Sequence, residues 1–212
     1  MNSTGNSKGN SKGSKKVSPK RSRTEIRITG YGGQGVVLCG HIIGDGYAIQ
    51  AGHHATMIQS FGPEARGSAC STTLALSEEE VLYPYTTRPD VFVVMSNEGY
   101  TKFGEELKDD GILIYEEDLV TPSEKPDQKQ YGVPSTRIAE ELGRIIVQNI
   151  VMLGFFASAT KYVPKEKMRA AVENSVPPGT ETLNLRAFDA GWEHFEKAYE
   201  GKTEEEPAAA DS

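Results

Sequence analysis

Six residues near the start of the chain, Gly30-Tyr31-Gly32-Gly33-Gln34-Gly35, fit the pattern G-x-G-x-x-G. Glycines let a backbone turn sharply and approach a ligand closely. A helix opening directly behind them offers unpaired N–H groups and the positive end of its dipole to an anion. The chemistry of such a loop is the cradling of a phosphate or a carboxylate. Tight packing against a neighbouring subunit uses the same geometry, and the motif by itself leaves both uses open. A second loop-like run follows at residues 59–68, Q-S-F-G-P-E-A-R-G-S. Gly62-Pro63 and Gly67 shape it, and Glu64 and Arg66 place opposite charges close together on it. Arg66 is a planar, permanently charged donor suited to phosphate or carboxylate. An ion pair with Glu64 that fixes the loop or docks a partner explains the same residues equally well.

Several other chemistries are excluded by what stands around these motifs. A dinucleotide site wants an acid about 20 residues on, at the end of the second strand, to hold a ribose; that stretch here reads Met57-Ile58-Gln59-Ser60-Phe61. No Gly-Lys-Ser/Thr follows the glycines, so the loop is not a Walker A loop. Gly44-Asp45-Gly46 matches the opening of a thiamine-diphosphate Mg²⁺ motif, but residues 61–73 supply no Asn to complete it. It reads as a helix-end feature. His41, His53, His54 and His194 show no metal spacing. Two cysteines, Cys39 and Cys70, are too few for a four-thiolate zinc site or an iron–sulfur ligand set. Asn149 sits in an apolar helical run and reads as a buried hydrogen-bonding residue. With no nucleophile–base pair visible, catalysis by this chain alone is not expected.

The elements that must position these loops alternate. Residues 25–29 read as a strand, 33–51 as a helix, 54–59 and 68–77 as strands, and 90–95 as a strand buried on both faces. A helix is expected over 97–108, strands over 111–115 and 131–134, and a helix from 135 to 142 capped by Ser135, with acidic first turns. Apolar 145–160, a helix after Pro164 and an amphipathic helix over 180–200 complete the reading, with Trp192 and Phe195 packing inward. Strand–helix alternation predicts a single Rossmann-like α/β domain, its mostly parallel sheet covered by helices on both faces.

Composition sets the boundaries. Of the 212 residues, 37% are hydrophobic and the net charge is −7. Residues 1–23 hold seven Lys and Arg and no acid among Gly, Ser and Asn, which predicts a disordered basic tail. Residues 201–212 read as a disordered acidic tail, leaving 24–200 as the folded domain. An acidic body is a poor nucleic-acid binder. The best apolar run, 145–156, is too short to span a bilayer and contains Gln148 and Asn149. With no signal peptide and no disulfide framework, the expected location is the cytoplasm.

Taken together, I-R-I-T-G-Y-G-G-Q-G, Q-S-F-G-P-E-A-R-G-S and Q-N-I-V-M-L-G at 148–154 resemble the γ subunit of 2-oxoacid:acceptor (ferredoxin) oxidoreductases over residues 25–200. The G-P-E-A-R-G form is most similar to the 2-oxoglutarate enzymes, with branched-chain and aryl relatives close. Ser68 stands where the family usually has a second Gly, and the basic tail is not a family feature. The resemblance implies oxidative decarboxylation of a 2-oxoacid with coenzyme A to an acyl-CoA and CO₂, electrons passing to ferredoxin. It also implies thiamine diphosphate, Mg²⁺ and iron–sulfur clusters on partner subunits of a heteromultimer. This chain would close the active site and contact coenzyme A through Gly30, Gly32, Gly33, Gln34, Gly35, Gly62, Glu64 and Arg66. A nucleotide-binding regulatory module and a purely structural docking subunit remain as alternatives.

Overall fold

The computed structural model describes residues 23–60, 69–81, 83 and 85–200. Gly62, Glu64, Arg66 and both expected tails lie outside the described residues, except that Arg23 is already the first residue of a strand. Six strands form one sheet: β1 (Arg23–Tyr31), β2 (His54–Ser60), β3 (Ala69–Ser77), β4 (Val91–Val94), β5 (Ile112–Glu116) and β6 (Lys129–Val133). Their order is β2-β3-β1-β4-β5-β6. β1, β4, β5 and β6 run parallel, whereas β3 is antiparallel to both of its neighbours. The reason is local. Eight residues stand between the end of β2 and the start of β3, fewer than the dozen or more that a crossover to a parallel strand needs.

Each strand is written on both faces. Val91 and Val93 enter a large core with Ile26, Ile28, Leu74 and Leu76, while Phe92 and Val94 enter a smaller one with Leu107, Leu113 and Val120. The large core lies under α1 (Val36–Asp45), α3 (Ser135–Glu141), α4 (Gln148–Thr160), α5 (Lys165–Ser175) and α6 (Glu181–Ala198). The small core lies under α2 (Asn97–Phe103), whose Tyr100 and Phe103 pack on it. α4 is apolar almost all round because α6, α5, α3 and α1 surround it. It crosses α6 so closely that a Cβ on Gly154 would overlap the Phe188 carbonyl, and one on Gly191 the Val151 carbonyl. Trp192 and Phe195 are buried, as the helical spacing implies.

Several element ends differ from the sequence reading. The helix expected over 33–51 starts at Val36, because Gly33 and Gly35 have φ of 99° and 75° and belong to a loop. It then widens into a π-helical turn, Gly46–Gln50. The apolar 145–160 segment opens with a 3₁₀ turn, Ile145–Val147, before α4. Ser135 is not the cap of α3. Pro134 occupies that position, the first turn of α3 holds no acid, and the Ser135 hydroxyl donates to the Glu116 carboxylate instead.

Parallel β1 and β4 end at the same edge of the sheet, where Thr29 pairs with Val94. Tyr31 pairs with Ala69 and Ser60 with Ser71, so the hairpin strands also deliver both ends of the 61–68 segment to that edge. This is the edge from which the glycine loop rises.

Candidate functional site

The glycine loop is pinned by one side chain. The Gln34 amide accepts from the Tyr31 N–H through Oε1 at 2.6 Å and donates through Nε2 to the Met95 carbonyl at 3.1 Å. Its polar atoms are thus spent on holding the loop to the end of β4. Gly30 is tight, because a Cβ there would meet Gln34 Oε1, Val36 and Met95. Gly35 is tighter still, with the Asn149 amide occupying the Cβ position. Gly32 differs: nothing lies within 4 Å of its would-be Cβ and its φ is not positive. Of the motif's glycines, then, Gly30 and Gly35 serve close approach, Gly33 and Gly35 serve a left-handed backbone, and Gly32 is open.

Beside the loop lies a cavity of about 600 Å³. Gly33, Gln34, Gly35 and Leu38 form one wall. A second wall comes from Arg144, the Ile145–Val147 turn, Gln148 and Asn149. Val176, Pro177, Thr180, Leu183 and Asn184 form the third. Most of the lining is aliphatic, with polar groups gathered where helices begin. Ile145 and Ile146 are 54% and 73% exposed on the rim. Asn149 is 6% exposed, and its side-chain amide packs against Gly35. Asn184 donates to the carbonyl and hydroxyl of Thr180 at 2.9 and 3.0 Å. Thr136 Oγ1 donates to Gln148 Oε1 at 2.9 Å, tying the second wall to α3.

Two of the helix starts at the cavity, those of α1 and α4, are unlike the others. α2 starts with a Ser96 cap on the Gly99 N–H at 3.2 Å and carries Glu98. α5 has Glu166 in its first turn. α6 has Glu181, whose carboxylate accepts from its own N–H and that of Gly179, holding its pKa below the ordinary carboxylate value. α3 borrows Glu116 from the end of β5: that side chain is 1% exposed and accepts from the Ser135 hydroxyl and, at 3.1 Å, the Thr136 N–H. Burial pushes the Glu116 pKa up, against the lowering effect of those bonds. α1 and α4, whose first residues line the cavity, have neither a capping side chain nor an acid in the first turn. The first intrahelical bond of α1 is Cys39 N–H to the Gly35 carbonyl at 3.0 Å, and the N–H groups ahead of it have no partner within the helix.

This arrangement can bind an anion attached to an apolar body. It is poorly equipped for covalent chemistry. Cys39 is buried, donates weakly to the Asn149 carbonyl at 3.4 Å and has its thiol pushed up to about 12 by burial. Cys70 is half-buried, and burial raises it too. Asp45 accepts from Gln50 at 3.3 Å at the end of α1 and faces a shallow groove away from the cavity. Among the described residues no group of three His, Cys, Asp or Glu could hold a metal ion, and no helix is long and apolar enough to cross a membrane.

Of the site residues read from sequence, the structure brings Gly33, Gln34 and Gly35 to the cavity and leaves Gly30 and Gly32 off its lining. Gly62, Glu64 and Arg66 lie outside the described residues. Arg144, Gln148, Thr180 and Asn184 were not singled out as site residues. One signal for α4 was available in the sequence: the start of an apolar helix with neither a Ser/Thr/Asp cap nor an acid.

Residues 25–194 match the family described as pyruvate ferredoxin/flavodoxin oxidoreductase. The 2-oxoglutarate synthase subunit KorC of Methanocaldococcus jannaschii is 43% identical over 176 residues, 82% of this chain and 94% of that one. The γ subunit of a keto/oxoacid ferredoxin oxidoreductase from Geobacter sulfurreducens superposes with a TM-score of 0.74 at 34% identity, covering 82% of this chain and 99% of that one. A 2-oxoglutarate:ferredoxin oxidoreductase from Magnetococcus marinus, determined with 2-oxoglutarate, coenzyme A and succinyl-CoA bound, shares the fold. Its TM-score is 0.76 at 22% identity, over 91% of this chain and 34% of that longer one.

Proposed function

The chain belongs to the pyruvate ferredoxin/flavodoxin oxidoreductase family as a KorC-like γ subunit, and we propose that its complex oxidises 2-oxoglutarate. The reaction would be 2-oxoglutarate plus coenzyme A plus two oxidised ferredoxins giving succinyl-CoA, CO₂, a proton and two reduced ferredoxins. Identity to KorC subunits over nearly their whole length supports the choice of 2-oxoglutarate. Thiamine diphosphate, Mg²⁺ and iron–sulfur clusters would reside on partner subunits in the cytoplasm, since among the described residues no group of three His, Cys, Asp or Glu could hold a metal ion. Its own work is to bind, orient and exclude water. The cavity beside the 30–35 loop carries this part of the reading, because bare helix ends and aliphatic walls suit coenzyme A, which is phosphorylated at one end and apolar along its arm. Gly62, Glu64 and Arg66 are proposed to complete the contact from the adjoining segment.

The exposed Ile145–Ile146 pair favours a second use of the same rim, contact with a catalytic partner chain. Co-expression with thiamine-binding and iron–sulfur subunits tests both. Expected is ferredoxin reduction that needs 2-oxoglutarate, coenzyme A and this chain, with pyruvate and branched-chain 2-oxoacids poorer. Full activity in a complex lacking the chain would overturn the proposal. Loss of assembly in Ile146→Glu, with the affinity for coenzyme A unchanged in what remains assembled, would assign the rim to docking.

A further inference from the structure

We propose that the outer edge of β2 is a self-association surface, on which a second copy of this chain docks its own β2 antiparallel, about a two-fold axis at Met57. The inference goes beyond the reading of the reaction and does not depend on it.

The sheet has two outer strands, and they are treated differently. At β6 the Tyr199 hydroxyl accepts from the Gly132 N–H at 3.1 Å and donates to the Gly132 carbonyl at 2.9 Å, so the residue that closes α6 clips this edge. Lys129 stands at the start of the same strand. A clipped edge with a lysine is one way in which sheets avoid chance pairing. β2 has neither device. Its seven residues, His54-Ala55-Thr56-Met57-Ile58-Gln59-Ser60, include no Lys, Arg, Asp, Glu or Pro. Among the described residues β3 alone pairs with it, and every second residue turns its N–H and C=O away from that ladder. Beside this edge α1 and β2 enclose a shallow groove of about 260 Å³. Gly40 keeps its floor low, because a Cβ there would meet Thr72 and the Met57 sulfur. Ile49 stands beside it 73% exposed.

Charge and register select the occupant. A chain of net charge −7 repels its own copies, so the strand at the centre of a self-association surface must be free of acids, and β2 is. In the register that pairs all seven residues, Met57 meets Met57, Ala55 meets Gln59 and Thr56 meets Ile58. Paired positions then have the same parity, so the α1 side of one strand continues into the α1 side of the other. Gly40 and Gly44 straddle the level of Met57, since Gly40 sits against Met57 and Gly44 faces Leu74, the β3 partner of Met57. His41 and Asp45, one turn apart on the groove, reverse their order across the axis. Each Asp45 carboxylate thus stands toward the other copy's His41. The two β3 strands, on which the α1 helices lie, would be three strand spacings or about 14 Å apart, wider than the roughly 8–10 Å of directly packed helices. Ile49 and Met57 of both copies fill that difference. A strand edge about 24 Å long under two layers buries about 1,000 Å² in total, the low end for a specific interface, so the dimer is expected to be weak and concentration-dependent.

The test uses the full chain and the complex assembled with its partner subunits. Sedimentation velocity across the micromolar range should show a reversible monomer–dimer equilibrium. Ile49→Asp and Gln59→Lys alter exposed side chains, so the melting temperature of the monomer should not move. Each should weaken the dimer about tenfold, because the axis repeats every misplaced group. In a Cys70→Ser background, where the remaining Cys39 is buried, Met57→Cys should cross-link two copies to each other under mild oxidation, in the free chain and in the complex. Thr56→Cys, which faces Ile58 across the axis, should cross-link far less. A chain that stays monomeric throughout, with no cross-link between two copies in the complex, would overturn the proposal. A dimer that both surface variants leave intact would overturn it too, since the copies would then meet elsewhere. Cross-linking of Met57→Cys to a different subunit would give the edge to a catalytic partner and remove the second copy as its occupant. Should Met57→Cys fail to fold, the two surface variants decide alone.

Discussion

The start of α3 and the starts of α1 and α4 face the same electrostatic problem and meet it in opposite ways. At α3 the chain spends a buried carboxylate, Glu116, on the Ser135 hydroxyl and the Thr136 N–H. At α1 and α4 no side chain caps the start and no acid stands in the first turn, and residues at both starts line a cavity. Yet the two regions touch: Thr136, beside the Glu116 cap, also holds Gln148 at the first turn of α4. A satisfied helix end thus braces an unsatisfied one. The contrast teaches that the bare ends are not a general feature of this chain, since α2, α5 and α6 each carry an acid in the first turn.

Breaking the satisfied side should have the largest effect. Glu116→Ala leaves a buried hydroxyl and a backbone N–H without their acceptor, which costs about 1–3 kcal/mol, read as a lower urea midpoint. Glu116→Gln separates cap from charge. Because burial raises the folded-state pKa of Glu116, the folded chain binds the proton more tightly than the unfolded one. That contribution to stability is present below the ordinary carboxylate pKa and is lost as pH rises through the raised value. Urea titrations across mildly acidic pH should show this decline in the wild type and a flatter profile in Glu116→Gln.

A middle-sized effect is expected at the loop that feeds the bare end. Gly35→Ala forces a Cβ into a left-handed conformation, at about 1–2 kcal/mol, and pushes on the Asn149 amide. Gly32→Ala meets open space and should stay within about 0.5 kcal/mol of wild type. Equal losses from the two would mean that the loop's glycines act through something other than the local geometry described above.

The smallest effect sharpens the comparison. Gln148→Glu gives α4 the first-turn acid it lacks while keeping an acceptor for Thr136. The free chain should gain about 0.3–1 kcal/mol from the helix dipole, and the complex should bind coenzyme A more weakly. If stability rises and affinity is unchanged, the bare end of α4 is not reserved for an anion.

The order and type of the elements were legible because their patterns are short-range. Val91 to Val94 reads as a strand from four consecutive apolar residues, and their alternation between two cores needs no further information. Gly33 and Gly35 announce a left-handed turn through their lack of a Cβ. Ser135 shows the limit of such reading. It has the chemistry of a cap and stands in the right place, but a carboxylate from β5, nineteen residues earlier, took over the helix end.

From the sequence alone follow the α/β alternation, the glycine loop behind β1 and the family resemblance, all of which reside in residue identity and local spacing. Tertiary structure alone decided that β3 would lie antiparallel between β2 and β1, that Gln34 would be consumed in holding the loop to Met95, and that Gly35, Asn149 and Asn184 would share one cavity. These depend on which helix packs against which. Packing joins residues more than a hundred positions apart, through close approaches such as Gly35 on Asn149, and no period of 2 or 3.6 records it.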